Sequence, residues 1–288
     1  MARGLDHIVH AVRDLDAAAA LYRGLGFTVG ARNRHPWGTH NYIVQFPGVF
    51  IELLTLAEPD QLGDDGFSRL FGRYTGDFLA RHEGLALLIL ESQDARADEA
   101  AFRAAGIAAS ETMRFERAGQ SPAGAAVKVA FSLAFAADRL APDIHFATCQ
   151  QHYPENFWKP DFQKHANSAT GIAGVVAVAD VPADHLAFMQ AFAGAEAARS
   201  GADGFAIVTP RGVIEVVTPA AFVARYGVQP PDVAGGARLA ALRFTVADAS
   251  LLQAAPELAG IGGLYAGNAT VVGAEDAMGA VLVFEPAR

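Results

Sequence analysis

His7 and His10, three residues apart in the run LDHIVHA, are the first groups in this chain whose type and spacing could do chemistry. In a strand, residues an odd number apart face opposite sides. One imidazole can therefore look into a cavity while the other packs under whatever covers the far face. The inward group is either a satisfied core histidine or a metal ligand at the mouth of a sheet. Glu52 stands between Ile51 and Leu53 in a second apolar strand. An unpaired carboxylate is costly there, so a cation should accompany it, either a metal or a neighbouring Arg.

Downstream, the stretch QQHYPENFWKPDFQKHAN sets polar groups among aromatics. Gln150, Gln151, Trp158, His165 and Asn167 could line a cavity mouth and touch a substrate. His152 is best placed among them to exchange a proton near neutral pH. Tyr153, Phe157, Trp158 and Phe162 are too apolar for a solvated linker and gain free energy only by burial. They act either as a lid over the first domain or as a staple for a domain linker. His40, beside Thr39, is a further candidate near the substrate. Cys149 reads as a small buried apolar residue, and His35, His82 and His185 as solvated groups in turns or helices.

The elements that must position these residues repeat. A strand from Leu5 to Val12 runs through Asp14 into a helix from Leu15 to about Leu25, which Gly26 closes. Strands near 27–31, 39–46 and 49–56 follow. A second strand–helix start spans 84–107, with strands near 110–117, 125–135 and 143–150. A third opens at GIAGVVAVAD and ends with GVIEVVTP; a fourth opens at ARLAALRFTVADASLLQAAPELAGI and ends with GAVLVFEP. Each unit is a βαβββ module that cannot bury both its helix and its sheet face alone, so pairs should share a curved mixed sheet with helices outside. The expected class is α+β, with domains at 1–169 and 170–288.

Length and composition agree: 288 residues exceed one usual core, with 52% hydrophobic and 18% charged residues. A net charge of -9 argues against nucleic acid. No apolar stretch reaches a bilayer span, and the opening MARGLDHIV lacks the layout of a signal peptide. A cytoplasmic location is expected. The single cysteine excludes an intrachain disulfide.

The modular pattern, with LDHIVHAVRDLDAAAALYRGLGF at the front and GTHNYIVQFPGVFIELL behind it, resembles the vicinal oxygen chelate superfamily: glyoxalase I, bleomycin-resistance proteins and extradiol dioxygenases. The resemblance is most specific over the first 150 residues. It implies two such domains and a divalent metal (iron, manganese, zinc or nickel) held by one position of each unit's first strand and one of its last. On this chain those positions are His7 and Glu52, then Leu85 and His145, then Ala173 and Glu215, then Ala241 and Glu285. The implied ligands are His7, Glu52 and His145, leaving His10 under the helix. Two imidazoles and a carboxylate with open positions suit iron, manganese or zinc, and the metal would act as Lewis acid on vicinal oxygens. The expected function is a metal-dependent lyase, isomerase or ring-cleaving dioxygenase acting on a small oxygenated substrate. The alternative is metal-free sequestration of a small molecule, as in bleomycin resistance. The expected partner is that small molecule, with a homodimer left open.

Overall fold

The computed structural model describes residues 2–120, 126–253 and 264–287. Its first half contains β1 (Leu5–Ala11), α1 (Leu15–Gly24), β2 (Asn33–Arg34), β3 (Thr39–Phe46), β4 (Val49–Leu56) and α2 (Tyr74–Arg81), then β5 (Gly84–Glu91), α3 (Ala95–Ala104), β6 (Met113–Gln120), β7 (Ala126–Ala136) and β8 (His145–Gln151). A one-turn α4 (Pro154–Phe157) leads to β9 (Ala169–Val178), α5 (Leu186–Ala193), β10 (Arg199–Gly201), β11 (Gly204–Val208) and β12 (Val213–Val217). The last module has α6 (Pro219–Tyr226), β13 (Arg238–Val246), α7 (Ala249–Gln253), β14 (Leu264–Ala266), β15 (Ala269–Val272) and β16 (Val281–Pro286). The expected strand at 27–31 is absent; β2 is a two-residue pairing with β3 instead. Ala125 and residues 254–263, part of the fourth opening segment, lie outside the described residues.

Two eight-stranded sheets result, in the orders β2-β3-β4-β1-β5-β8-β7-β6 and β10-β11-β12-β9-β13-β16-β15-β14. Each joins two modules through an antiparallel pair of opening strands, β1 with β5 and β9 with β13, while each opening strand pairs in parallel with its module's last strand. Local chemistry starts each module. The Asp14 carboxylate accepts from Ala17 N–H at the head of α1, and Asp94 does the same for Arg96 and Ala97 at α3. The Pro47-Gly48 turn, with Gly48 at φ +73°, sets Phe46 opposite Val49, and this register places Ile43 opposite Glu52.

One face of each sheet goes into a common core. Phe27 and Phe46 of the first half meet Phe244 of the second at ring distances of 5.0 and 5.9 Å. Phe102 and Phe146 meet Phe192 at 5.9 and 5.3 Å. His10 lies on this face, fully buried: its Nδ1 accepts from the Tyr22 hydroxyl at 3.1 Å and its Nε2–H donates to the Met278 carbonyl at 3.0 Å. No helix among the described residues is long and apolar enough to cross a membrane.

Burial lowers the His10 pKa from 6.5 to about 4. Between those values the unfolded chain takes up a proton that the native chain refuses. The stability tied to neutral His10 is therefore whole above pH 6.5 and falls as pH drops through the window, by up to about 3 kcal/mol at its lower end. An NMR titration should find His10 neutral down to about pH 4. A midpoint near 6.5 would refute this burial.

Candidate functional site

The opposite face of the first sheet carries a cavity enclosing about 610 Å³, its mouth included. Neighbouring strands point paired residues the same way, so Val9 paired with Glu52, and Glu52 with Ile43, put His7, Glu52, Asn41 and Ile43 on that face. Phe131 and Leu133 of β7 and Cys149 of β8 continue the floor. The walls come from connections: Trp37 from the turn before β3, Phe67 and Phe71 from the segment entering α2, and Phe157 from α4. Trp37 stacks on Phe67 at 4.8 Å and meets Phe115 edge-on at 5.0 Å.

Two polar chains reach into this apolar box. In the first, His7 Nδ1 lies 2.5 Å from Asp6 Oδ1, while the Gln151 amide donates to Asp6 Oδ2 at 2.9 Å. The partner assigns the tautomer: Nδ1 carries the hydrogen and donates to the carboxylate. Nε2 has no partner among the described residues. Asp6 and His7 are 4% and 6% exposed, and the imidazole stacks on Phe50 at 4.3 Å. In the second chain the Asn41 amide donates to Glu52 Oε1, and His35 Nδ1 pairs with the Thr39 hydroxyl at 2.9 Å. Burial holds His35 below its ordinary pKa, hence neutral near pH 7. Burial likewise pushes the Cys149 thiol well up, helped by the charges of Asp6 and Glu52. Asp6, His7 and Cys149 form a buried group whose donor atoms lie within 4.8 Å of one another.

The structure brings His7 and Glu52 to one cavity and places His145 elsewhere. His145 is at the start of β8, where Nδ1 bonds the Leu70 carbonyl at 3.1 Å and the ring stacks on Tyr74; burial lowers its pKa to about 4. The Asp14 and Asp94 caps, laid over one another, put Leu87 rather than Leu85 in the place of His7. The pairs Val9–Glu52 and Ile89–Ala147 put Ala147 in the place of Glu52. His145 stands two residues earlier, a slip that keeps the face but moves the side chain about 6.6 Å along the strand.

Other expected site residues also have structural posts. His40 faces away from the cavity, between Arg32 and Glu58, because its neighbour Asn41 takes the inward side. His152 sits at the sheet surface with the Ser132 hydroxyl at 2.8 Å and Arg114 at 3.1 Å, outside the cavity lining. His165 accepts from Thr28 N–H and donates to the Gln45 carbonyl, and Asn167 bridges the Leu25 carbonyl and Ala169 N–H, so both fasten the linker. Gln150, Gln151 and Trp158 border a separate polar cavity that shares Cys149 with the first. The linker does dock, through Gln45 to Phe157 and Lys159, and only Phe157 reaches the aromatic cavity. His185 is not solvated; it is buried against Asp138 at 2.6 Å.

A divalent ion at the family's position would draw on His7, Glu52, Leu87 and Ala147. Two of these carry no donor atom, whereas catalytic sites for such metals use three or more protein ligands. At that position the residues do not fit the ion.

The second sheet solves the same charge problem differently. Glu215 pairs with Val176 as Glu52 pairs with Val9, so Gly174, not Ala173, takes the place of His7. Asp248 caps α7 as Asp94 caps α3, and this puts Ala241 in the place of Leu87 and Glu285 in that of Cys149. Arg243 then grips Glu285 with two hydrogen bonds of 2.6 and 2.8 Å and Glu215 with one of 2.6 Å.

Two domains of paired βαβββ modules, with a cavity on the exposed sheet face, define a two-domain vicinal oxygen chelate fold. The chain belongs to the glyoxalase-like domain family, which it matches over residues 5–193. Among solved structures it is similar to a hypothetical protein from Staphylococcus aureus, at 13% identity and TM-score 0.70, covering 99% of this chain and 100% of that one. It is also similar to a mutant of 4-hydroxymandelate synthase from Streptomyces coelicolor, at 14% identity and TM-score 0.57, covering 90% of this chain and 76% of that one. At these identities the likeness is one of fold. No curated protein matches the chain.

Glu215 is only 2% exposed, so removing its main cation should be expensive. Arg243→Leu should lower the unfolding free energy by about 3 kcal/mol, because it removes the cation shared by buried Glu215 and half-buried Glu285. Adding Glu215→Gln and Glu285→Gln should recover most of that loss. Equal urea midpoints for wild type and Arg243→Leu would show the ion-pair network to be idle.

Proposed function

We propose that this chain is a glyoxalase-like enzyme that takes a small molecule with a flat apolar body and an oxygenated end into its first-domain cavity. The reaction we assign there is proton transfer by His7. The carrying observation is the buried Asp6–His7 pair opening into an aromatic-walled cavity that also holds Glu52. Asp6 fixes the imidazole's tautomer by accepting from Nδ1–H, which leaves Nε2 as the acceptor. His7 Nε2 then accepts a proton from a carbon next to a carbonyl, the C–H electron pair passing into the carbonyl as an enolate. Returning the proton to the same or a neighbouring carbon gives exchange or isomerisation. Glu52, held by Asn41, is placed to accept a substrate hydroxyl. The reading derives no step from a metal.

A test uses 1-phenylpropane-1,2-dione, which has a flat body, vicinal oxygens and an acidic methyl group. In D₂O, NMR should show the protein accelerating replacement of the methyl hydrogens by deuterium. His7→Ala should lower that rate at least about a hundredfold, the usual worth of a general base, while quenching of tryptophan fluorescence by the dione still reports binding. Asp6→Asn should lower it less, and EDTA should leave it unchanged. Saturable binding with no exchange would favour the sequestration reading. Exchange that collapses with EDTA and returns with cobalt(II) would instead make Asp6, His7 and Cys149 a metal site.

A further inference from the structure

We propose that the second domain holds a binding site of its own, for a small oxyanion such as the carboxylate or phosphate group of a metabolite. The site is the cavity on the second sheet's exposed face, which encloses about 860 Å³ with its mouth and is lined by Arg199, Arg225, Arg243, Glu215, Glu285 and Tyr226. It corresponds in place to the first-domain cavity but is polar where that one is aromatic. Its charges do not cancel. Three guanidinium groups face two carboxylates, an excess of one positive charge in a chain whose net charge is -9.

The hydrogen bonds show where that excess lies. Arg243, whose side chain is 14% exposed, spends its Nε and both Nη groups on Glu285 and Glu215 and offsets one of their two charges. Glu215 Oε1 is shared by Arg225 Nη1 at 2.9 Å and Arg199 Nη2 at 3.4 Å. Each of these two arginines gives only one N–H group to Glu215, leaving the rest of a planar fork suited to bidentate recognition of an oxyanion. The Tyr226 hydroxyl belongs to the same cluster, beside the Arg225 guanidinium. Tyr226 is 3% exposed and lines the cavity, and among the described residues its hydroxyl donates no hydrogen bond. A buried hydroxyl is costly to leave unpaired. Burial also raises its pKa, so it remains a neutral O–H donor. Two guanidinium forks and one unspent hydroxyl donor together match an anion's acceptor oxygens.

The experiment is isothermal titration of the full chain, in low-salt buffer, with inorganic phosphate and separately with succinate. Saturable binding of one equivalent of either is expected; phosphate alone identifies a phosphate-bearing ligand and succinate alone a carboxylate-bearing one. Arg225→Gln should weaken that binding about tenfold. Tyr226→Phe, which removes a single oxygen and so spares the fold, should weaken it severalfold. Phe131→Ala, in the other cavity, should leave it unchanged. The proposal is overturned if neither anion gives a saturable heat. It is equally overturned if Tyr226→Phe and Arg225→Gln bind as wild type does, since the heat would then come from general ionic screening.

Discussion

Both cavities depend on one packing constraint, the core that the two sheets share. Phe244 sits against Phe27 and Phe46 from the other half, and Phe192 against Phe102 and Phe146. Contacts of this kind commit one face of the central strands to the interior of the whole chain. The other face of each sheet is left over, and leaving it as bare apolar surface would invite association. In the first domain the connection from β4 to β5 and the linker after β8 fold across it. They cover its ends without filling its middle. The cavity is thus the space that two ordinary connections cannot close.

Glu52 and Glu215 show how a shared fold can carry different chemistry. They occupy matching places on matching strands, and a carboxylate at such a depth needs compensation. In the second domain Arg243 compensates Glu215 permanently, from the place that Ile89 holds in the first. Among the described residues no Arg or Lys bonds Glu52; Asn41, a neutral donor, satisfies one oxygen. A fixed cation makes Glu215 a structural group, whereas Glu52 has a neutral partner.

Much of this architecture was legible in the sequence because it is locally encoded. Asp14 and Asp94 mark two module starts by capping helices, and the apolar run around Glu52 marks its strand, while its place in the site came from the resemblance. Asn41 was missed in favour of His40, although the Pro47-Gly48 turn that fixes the hairpin register offered the signal. Ligand positions were harder to count. A strand carries no marker of its own position, so a match between modules slips unless it is counted back from the capping Asp. Leu87, Ala147 and Gly174 therefore stand one or two residues from the places the resemblance implied. The aromatic wall was the least legible part. Trp37, Phe67, Phe71 and Phe157 come from connections, whose paths depend on tertiary contacts that no periodicity announces.

That wall bears on what the Asp6–His7 pair can do. In water an imidazole and a carboxylate gain little by meeting, because solvent competes for both. Here Phe50 covers the imidazole face, and the pair is almost wholly buried. Among the described residues, that seclusion also leaves His7 Nε2 with no protein acceptor or donor. Any group that reaches it arrives from the cavity, between aromatic faces that select a flat body and orient it. In the function we propose, binding selectivity and proton transfer are not separate properties of this domain: both would follow from setting a short polar chain at the bottom of an apolar cleft.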